Sequence, residues 1–191
     1  MKKTFVMGVV VSIVLLISGC KNKDSWQDVY KNTLTSIHNQ QSLNIVTDDA
    51  DISRLGNKEV FTAGYFITDI TGDKIPELIV RFGMCEAEYD CKVFGFDSGN
   101  QPVYLGRING GHCCFYKTED GDLIRYQAHM GEAFIYKVVY ENNIFTEEKL
   151  YEESEKMSSS DYTPVEDIIK GAKELEYLEI TDLDGIDNYA K

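Results

Sequence analysis

An acidic loop between two apolar runs is the first candidate site of this chain, within the stretch FITDITGDKIPELIV of residues 66–80. Oxygen-bearing side chains stand at its first, third, fifth and ninth positions, which are Asp69, Thr71, Asp73 and Glu77. In a turning loop, alternate side chains and one backbone carbonyl, here that of Ile75, can converge on a hard cation that prefers six to eight oxygen ligands. The spacing therefore indicates either a calcium site or an acidic turn that joins two strands.

Three positions depart from the pattern of a calcium loop. Thr71 stands where a stronger Asn or Asp ligand is usual, and Lys74 stands where glycine would supply a left-handed turn. Lys74 also brings a positive charge to the site. The twelfth position is Val80 rather than glutamate, which excludes an EF-hand. The sequence favours a structural turn, with calcium binding as the alternative.

Cysteines give the second group of candidates: besides Cys20, the chain contains Cys85, Cys91, Cys113 and Cys114. Cys85 and Cys91 flank EAEYD between two strand-like segments, so we predict a disulfide where a hairpin loop closes. Cys113 and Cys114 are adjacent in a strand-like segment, where neighbouring side chains point to opposite faces and cannot share one partner. Their pairing stays open, because four cysteines allow three connectivities.

Thiols and imidazoles together would also suit a zinc or copper site, or a catalytic pair in which the imidazole activates the thiol. Spacing argues against the metal site, since the chain has no C-x-x-C or H-x-x-x-H pair. For the enzyme, the nucleophile would be Cys113 or Cys114 with His112 or His129 as its base. No other catalytic motif is present in the sequence, and structural disulfides explain the same cysteines.

The start of the chain predicts that the protein is exported from the cytoplasm. Lys2 and Lys3 precede an apolar run over residues 5–17, which is typical of a secretory signal and too short for an ordinary spanning helix. The segment Ile17-Ser18-Gly19-Cys20 resembles the bacterial lipobox. The resemblance implies cleavage after residue 19 and a palmitate-type lipid on Cys20, with residues 20–24 as a short tether in the cell envelope.

The net charge of the chain indicates which classes of binding partner are unfavourable. The chain has 19 basic and 32 acidic residues, a net charge of −13. Removal of the signal with Lys2 and Lys3 leaves 17 basic residues and a net charge of −15. Such acidity makes nucleic acid and anionic headgroups poor partners and would favour cations or basic proteins.

The periodicity of apolar residues predicts an α+β fold in a single domain over residues 25–191. An amphipathic helix, capped by Asp24 or Ser25, carries an apolar stripe of Trp26, Val29, Tyr30, Leu34 and Ile37. An antiparallel meander of about seven to nine strands follows. A second helix starts after Thr163 and Pro164 and packs on the sheet, with the stripe Val165, Ile168, Ile169, Ala172 and Leu175. A last strand, YLEIT, precedes an acidic tail that we expect to be solvated.

The loop with its strand, D-x-x-G-D-x-x-P-E-L, resembles the cation-binding loops of FG-GAP and VCBS-type modules. Together with the segments GMCEAEYDCKVFGF, GGHCCFY and HMG, it is also similar to uncharacterised exported lipoproteins of Firmicutes. This resemblance supports a fold and an address rather than an activity. We therefore expect a membrane-anchored, non-catalytic module that binds a protein, glycan or cation. The alternatives are the thiol-dependent enzyme and an immunity-type or structural protein that occludes a partner.

Overall fold

The computed structural model describes residues 25–39, 62–83, 85–97, 102–154 and 162–189. The predicted signal peptide, Cys20 and the whole predicted tether of residues 20–24 lie outside these ranges. None of the helices within them has the length and apolar character needed to span a membrane.

Nine strands and three short or medium helices make up the described chain. The helices are α1 (Trp26–His38), α2 (Val165–Ile168) and α3 (Asp184–Tyr189), with one 3-10 turn at Glu86–Glu88. The strands are β1 (Thr62–Thr68), β2 (Glu77–Phe82), β3 (Asp90–Phe96), β4 (Pro102–Asn109), β5 (Cys113–Lys117), β6 (Leu123–His129), β7 (Glu132–Glu141), β8 (Ile144–Ser154) and β9 (Lys173–Glu174). All their pairings are antiparallel: β1-β2-β3-β4 form sheet 1, and β8-β7-β6-β5-β9 form sheet 2.

Helix α1 begins at the predicted position. The Ser25 hydroxyl accepts a hydrogen bond from the Asp28 backbone N–H, and the Asp28 carboxylate accepts one from the Ser25 N–H, which completes a capping box. The Tyr30 hydroxyl donates to the carbonyl oxygens of Pro76 and Phe94, so the helix is fixed to sheet 1 by hydrogen bonds as well as by packing.

Three apolar clusters define the layers. The first joins α1 and α3 to the outer face of sheet 1 and includes Tyr30, Leu34, Tyr65, Leu78 and Ile186. The second lies between the two sheets and includes Phe66, Ile79, Cys91, Phe115 and Leu123. The third covers the outer face of sheet 2 beneath α2 and includes Tyr116, Ile124, Ile135, Val165 and Ala172. Successive side chains of a strand point to opposite faces of its sheet, so one strand contributes residues to the cluster between the sheets and to the cluster on the outer face.

The segment from Lys173 to Leu178 joins the two sheets along one side. Lys173 and Glu174 pair with β5, and the Leu175 N–H donates to the Phe115 carbonyl. Tyr65 of β1 and Leu178 then exchange two backbone hydrogen bonds of 2.8 and 2.9 Å. Backbone hydrogen bonds therefore connect sheet 1 to sheet 2 through this segment. On the opposite side, β4 and β8 meet through side-chain packing, as in the contact of Phe145 with Gly106.

The structure corrects the predicted fold class: the described part of the chain is largely β rather than α+β, because the helices in these ranges are few and mostly short. The predicted second helix ends at Ile168, since Gly171 takes a left-handed φ of 78° that turns the chain toward β9. The predicted last strand is reduced to the single bridge at Leu178. The acidic tail is ordered rather than merely solvated, because α3 buries Ile186 fully against sheet 1.

Candidate functional site

The acidic loop between β1 and β2 is held by its own carboxylates. Glu77 is 2 % exposed, and its side chain accepts hydrogen bonds from the backbone N–H groups of Ile70 and Thr71 and from the Thr71 hydroxyl, at 2.7 to 3.2 Å. Burial raises the pKa of the Glu77 carboxyl, and this effect outweighs the opposite influence of the loop hydrogen bonds. Glu77 therefore acts as the internal anchor of the turn.

The other loop carboxylates bond in the same way. Asp69 accepts from the N–H groups of Gly72 and Lys74, and Asp73 accepts from the N–H of Ile75. Gly72 and Lys74 have φ angles of 78° and 72°, so Lys74 adopts the left-handed turn for which the sequence pattern would use glycine. The three carboxylates of the predicted ligand set therefore all accept hydrogen bonds from loop N–H donors.

No group of three or more His, Cys, Asp or Glu side chains is arranged to hold a metal ion in the described part of the chain. Calcium binding by Asp69, Thr71, Asp73, Ile75 and Glu77 stays a prediction.

A cleft of about 540 Å³ opens beside this loop, at the end of the sandwich where β4 faces the turn between β7 and β8. One wall carries the acidic groups Asp73, Glu77 and Asp97. The remainder of the wall combines aromatic, aliphatic and amide groups: Thr71, Phe96, Val103, Tyr104, Leu105, Tyr140 and Asn143. None of the described residues that line the cleft is a lysine, arginine or histidine. Its volume falls within the range of small-molecule sites, about 300 to 1,000 Å³.

Phe145 of β8 divides the gap between β4 and β8. Its ring covers Gly106, where an added Cβ would lie 3.1 Å from the nearest ring carbon. A second cleft of about 320 Å³ lies along the same gap, lined in part by Arg107, Val138 and Phe145. Local sequence patterns do not indicate either cleft, because strands that are far apart in the chain build the walls. The alternation of these strands is indistinguishable from that of core strands.

The four described cysteines are free thiols in this structure, and Cys85 is not joined to Cys91. Cys85 is exposed, whereas Cys91 is fully buried with its sulfur 3.4 Å from the Tyr177 hydroxyl. Cys113 packs between the sheets and Cys114 packs toward the outer core of sheet 2, which confirms that the two adjacent side chains point to opposite faces. The disulfide between Cys85 and Cys91 stays a prediction.

Burial works against nucleophilic activation of the Cys113 and Cys114 thiols. Burial raises the pKa of Cys113 to about 12 and that of Cys114 to about 11. A reactive cysteine instead needs a depressed pKa and access to solvent. The imidazoles of His112 and His129 stack on each other, with centroids 4.0 Å apart and an interplanar angle of 8°. The structure thus brings together the two histidines that the sequence had paired with thiols.

No family model matches this chain, and no curated protein or solved structure is significantly similar to it. The fold and the cleft define the class: a largely antiparallel β protein of two packed sheets with a mixed acidic and aromatic cleft at one end.

Proposed function

We propose that this chain is a lipid-anchored, non-catalytic binding protein of the cell envelope whose ligand enters the end cleft. The observation that carries the proposal is the cleft itself, which combines carboxylates with aromatic surface and is large enough for a sugar unit or a basic side chain. Carboxylates and amides bond hydroxyl or ammonium groups, while aromatic rings pack on the apolar face of a sugar or attract a cation. A glycan or a protein with a basic side chain fits this chemistry.

Membrane attachment is the part of the proposal that rests on sequence alone. Cys20 would carry the lipid, and the short tether would hold the domain close to the membrane. Expression of the full chain with an alkyne-labelled fatty acid tests this directly. The wild-type chain should incorporate the label and partition into detergent, and Cys20→Ser should do neither; equal labelling of both would exclude lipidation at Cys20.

Two features support binding rather than thiol catalysis. The candidate nucleophiles Cys113 and Cys114 have raised pKa values, and the candidate bases His112 and His129 contact each other. The loop carboxylates are engaged in hydrogen bonds that fix the turn, which suits a rigid binding wall.

The cleft assignment is tested with the full chain in nonionic detergent by NMR titration against neutral oligosaccharides and short lysine- or arginine-containing peptides. We expect one probe class to shift resonances of Tyr140 and Asn143. The paired variants Tyr140→Ala and Asn143→Ala should weaken binding by about tenfold, the usual scale for the loss of a central contact. The control Glu176→Ala, an exposed position away from the cleft, should bind as the wild type does. Binding that ignores the cleft variants would contradict the proposal.

A further inference from the structure

We infer that His112 and His129 form a binding site for a divalent transition-metal ion, at the end of the sheets opposite the cleft. The chain has three histidines, and the structure places two of them in a parallel stack although 16 residues separate them in sequence. Imidazole nitrogen is a preferred ligand of zinc, copper and nickel. This site is independent of the end cleft and goes beyond the proposed function.

Backbone contacts fix the position of His112. Its N–H donates to the carbonyl of Glu86 at 3.1 Å, which joins the β4–β5 connection to the 3-10 turn. His112 has a φ of 48°, in the left-handed region that a non-glycine residue rarely occupies. Such a conformation costs free energy and occurs often at functional sites.

His129 reaches the same place from the end of β6. It pairs with Glu132 across the β6–β7 turn, where Met130 also has a left-handed φ of 53° and is 88 % exposed. The two imidazoles therefore come from two different connections, each with a constrained backbone. An ion would bridge the β4–β5 connection and the β6–β7 turn.

One carboxylate lies near the His112 ring, and a second acidic residue is the strand partner of His129. An oxygen of Glu86 lies 3.9 Å from Nδ1 of His112, close enough for a small rotation to form a hydrogen bond. A carboxylate at Nδ1 orients the ring and leaves Nε2 as the metal ligand, an arrangement common around zinc. Glu132 stands opposite His129 in the register of the turn and adds a second negative charge.

Coordination requires a modest rearrangement of the stack. Parallel rings direct their nitrogens side by side, so each ring must tilt until one nitrogen of each points at the same ion. His129 is exposed and His112 is half-buried, so the rings have space to turn and water can complete the coordination shell. With two protein ligands and water at the other coordination positions, the site would bind and release its ion readily.

Zinc titration of the full chain in nonionic detergent tests the site, with Cys85→Ser as the background because the exposed Cys85 thiol would also bind zinc. We expect one zinc ion per chain and shifts of the imidazole resonances of His112 and His129. The resonances of His38, at the exposed end of α1, should not move.

Three variants in that background decide the outcome. His129→Gln and His112→Asn should each weaken zinc binding by about tenfold or more, and Asn also tolerates the left-handed conformation at position 112. His38→Asn is the matched control and should bind zinc as the background does. Circular dichroism identifies which variants are folded. If only one of His129→Gln and His112→Asn folds, the zinc affinity of that variant alone tests the site. The absence of saturable zinc binding, or binding that survives both substitutions, would overturn the inference.

Discussion

At the scale of single residues, burial decides the chemistry of the cysteines. Cys91 and Cys113 lie between the sheets, and burial raises the pKa of each to about 12. The thiolate is the reactive form, so these side chains are inert near neutral pH. Only Cys85 among the described cysteines is exposed.

We predict that a maleimide reagent labels Cys85 in the native, reduced protein and leaves Cys91, Cys113 and Cys114 unlabelled until denaturant is added. Peptide mass spectrometry after brief labelling measures this pattern. The Cys85→Ser variant should take up almost no label while folded. Rapid native labelling of Cys113 or Cys114 would restore the thiol-dependent enzyme as the better hypothesis.

Glu77 has a structural role that a neutral amide can fill. Glu77→Gln should leave stability nearly unchanged, because the amide oxygen can accept the N–H groups of Ile70 and Thr71 while its NH₂ donates to the Thr71 hydroxyl. Glu77→Leu should lower the free energy of unfolding by about 3 kcal/mol, because two N–H donors lose their partner. Urea denaturation measures both. Equal stability of Glu77→Leu and wild type would refute the anchoring role.

The pH dependence of Glu77 has a definite sign. Because burial raises its folded-state pKa above the ordinary value of 4.5, the folded chain holds the proton to higher pH than the unfolded chain. The resulting stabilisation is fully present below pH 4.5 and is lost as the pH rises through the raised folded value. The unfolding free energy of wild type relative to Glu77→Gln should therefore fall across this window. A relative increase with pH would show that the loop hydrogen bonds outweigh burial.

At the scale of secondary-structure elements, glycines set where the chain turns or where backbones meet. Gly64 has a φ of 125°, and an added Cβ would lie 2.7 Å from the Leu178 carbonyl oxygen. This close approach permits the two hydrogen bonds that join β1 to the Lys173–Leu178 segment. No comparable signal in the sequence distinguishes Gly64 from other strand glycines.

Gly64→Ala should lower the free energy of unfolding by about 3 kcal/mol, since it combines backbone strain with a clash against a carbonyl. Gly121→Ala is the matched control: Gly121 also has a positive φ of 91°, but nothing lies within 4 Å of its added Cβ. It should cost about 1 kcal/mol from strain alone. Thermal and urea unfolding would measure both, and equal losses would argue against the close contact at Leu178.

At the scale of the whole molecule, the two sheets are joined differently along their two sides. Backbone hydrogen bonds at Tyr65 and Leu178 close one side. On the other side, the ring of Phe145 packs on Gly106 and lines the second cleft. The end cleft also lies on this side, where β4 faces the turn between β7 and β8.

Phe145→Ala should lower stability by about 2 kcal/mol, less than the loss expected for a fully buried phenylalanine. It should also open the gap between β4 and β8, which amide hydrogen exchange would detect as faster exchange in these strands. Phe145→Leu keeps most of the apolar volume and should behave close to wild type. Unchanged exchange in Phe145→Ala would mean that other contacts hold the gap closed.

Local patterns in the sequence were sufficient for the elements whose signals are local. The Ser25 cap, the stripe of α1 and the strand alternation predict those elements correctly, because capping and burial follow from neighbouring residues. The acidic loop joins two core strands, as the strand alternation predicted, and calcium binding there stays a prediction. The second helix was predicted too long, because Gly171 and the edge of β5 draw the chain into β9.

Only the tertiary structure decided which distant residues meet. It stacks His112 on His129, builds the cleft from Asp73, Phe96 and Tyr140, and buries Ile186 of the acidic tail against sheet 1. These contacts depend on how two sheets pack and on which edges face each other, and alternation along a strand carries no information about either. The sequence by itself determined the net charge and predicted the lipid attachment and most of the strand segments, since these follow from composition and local pattern.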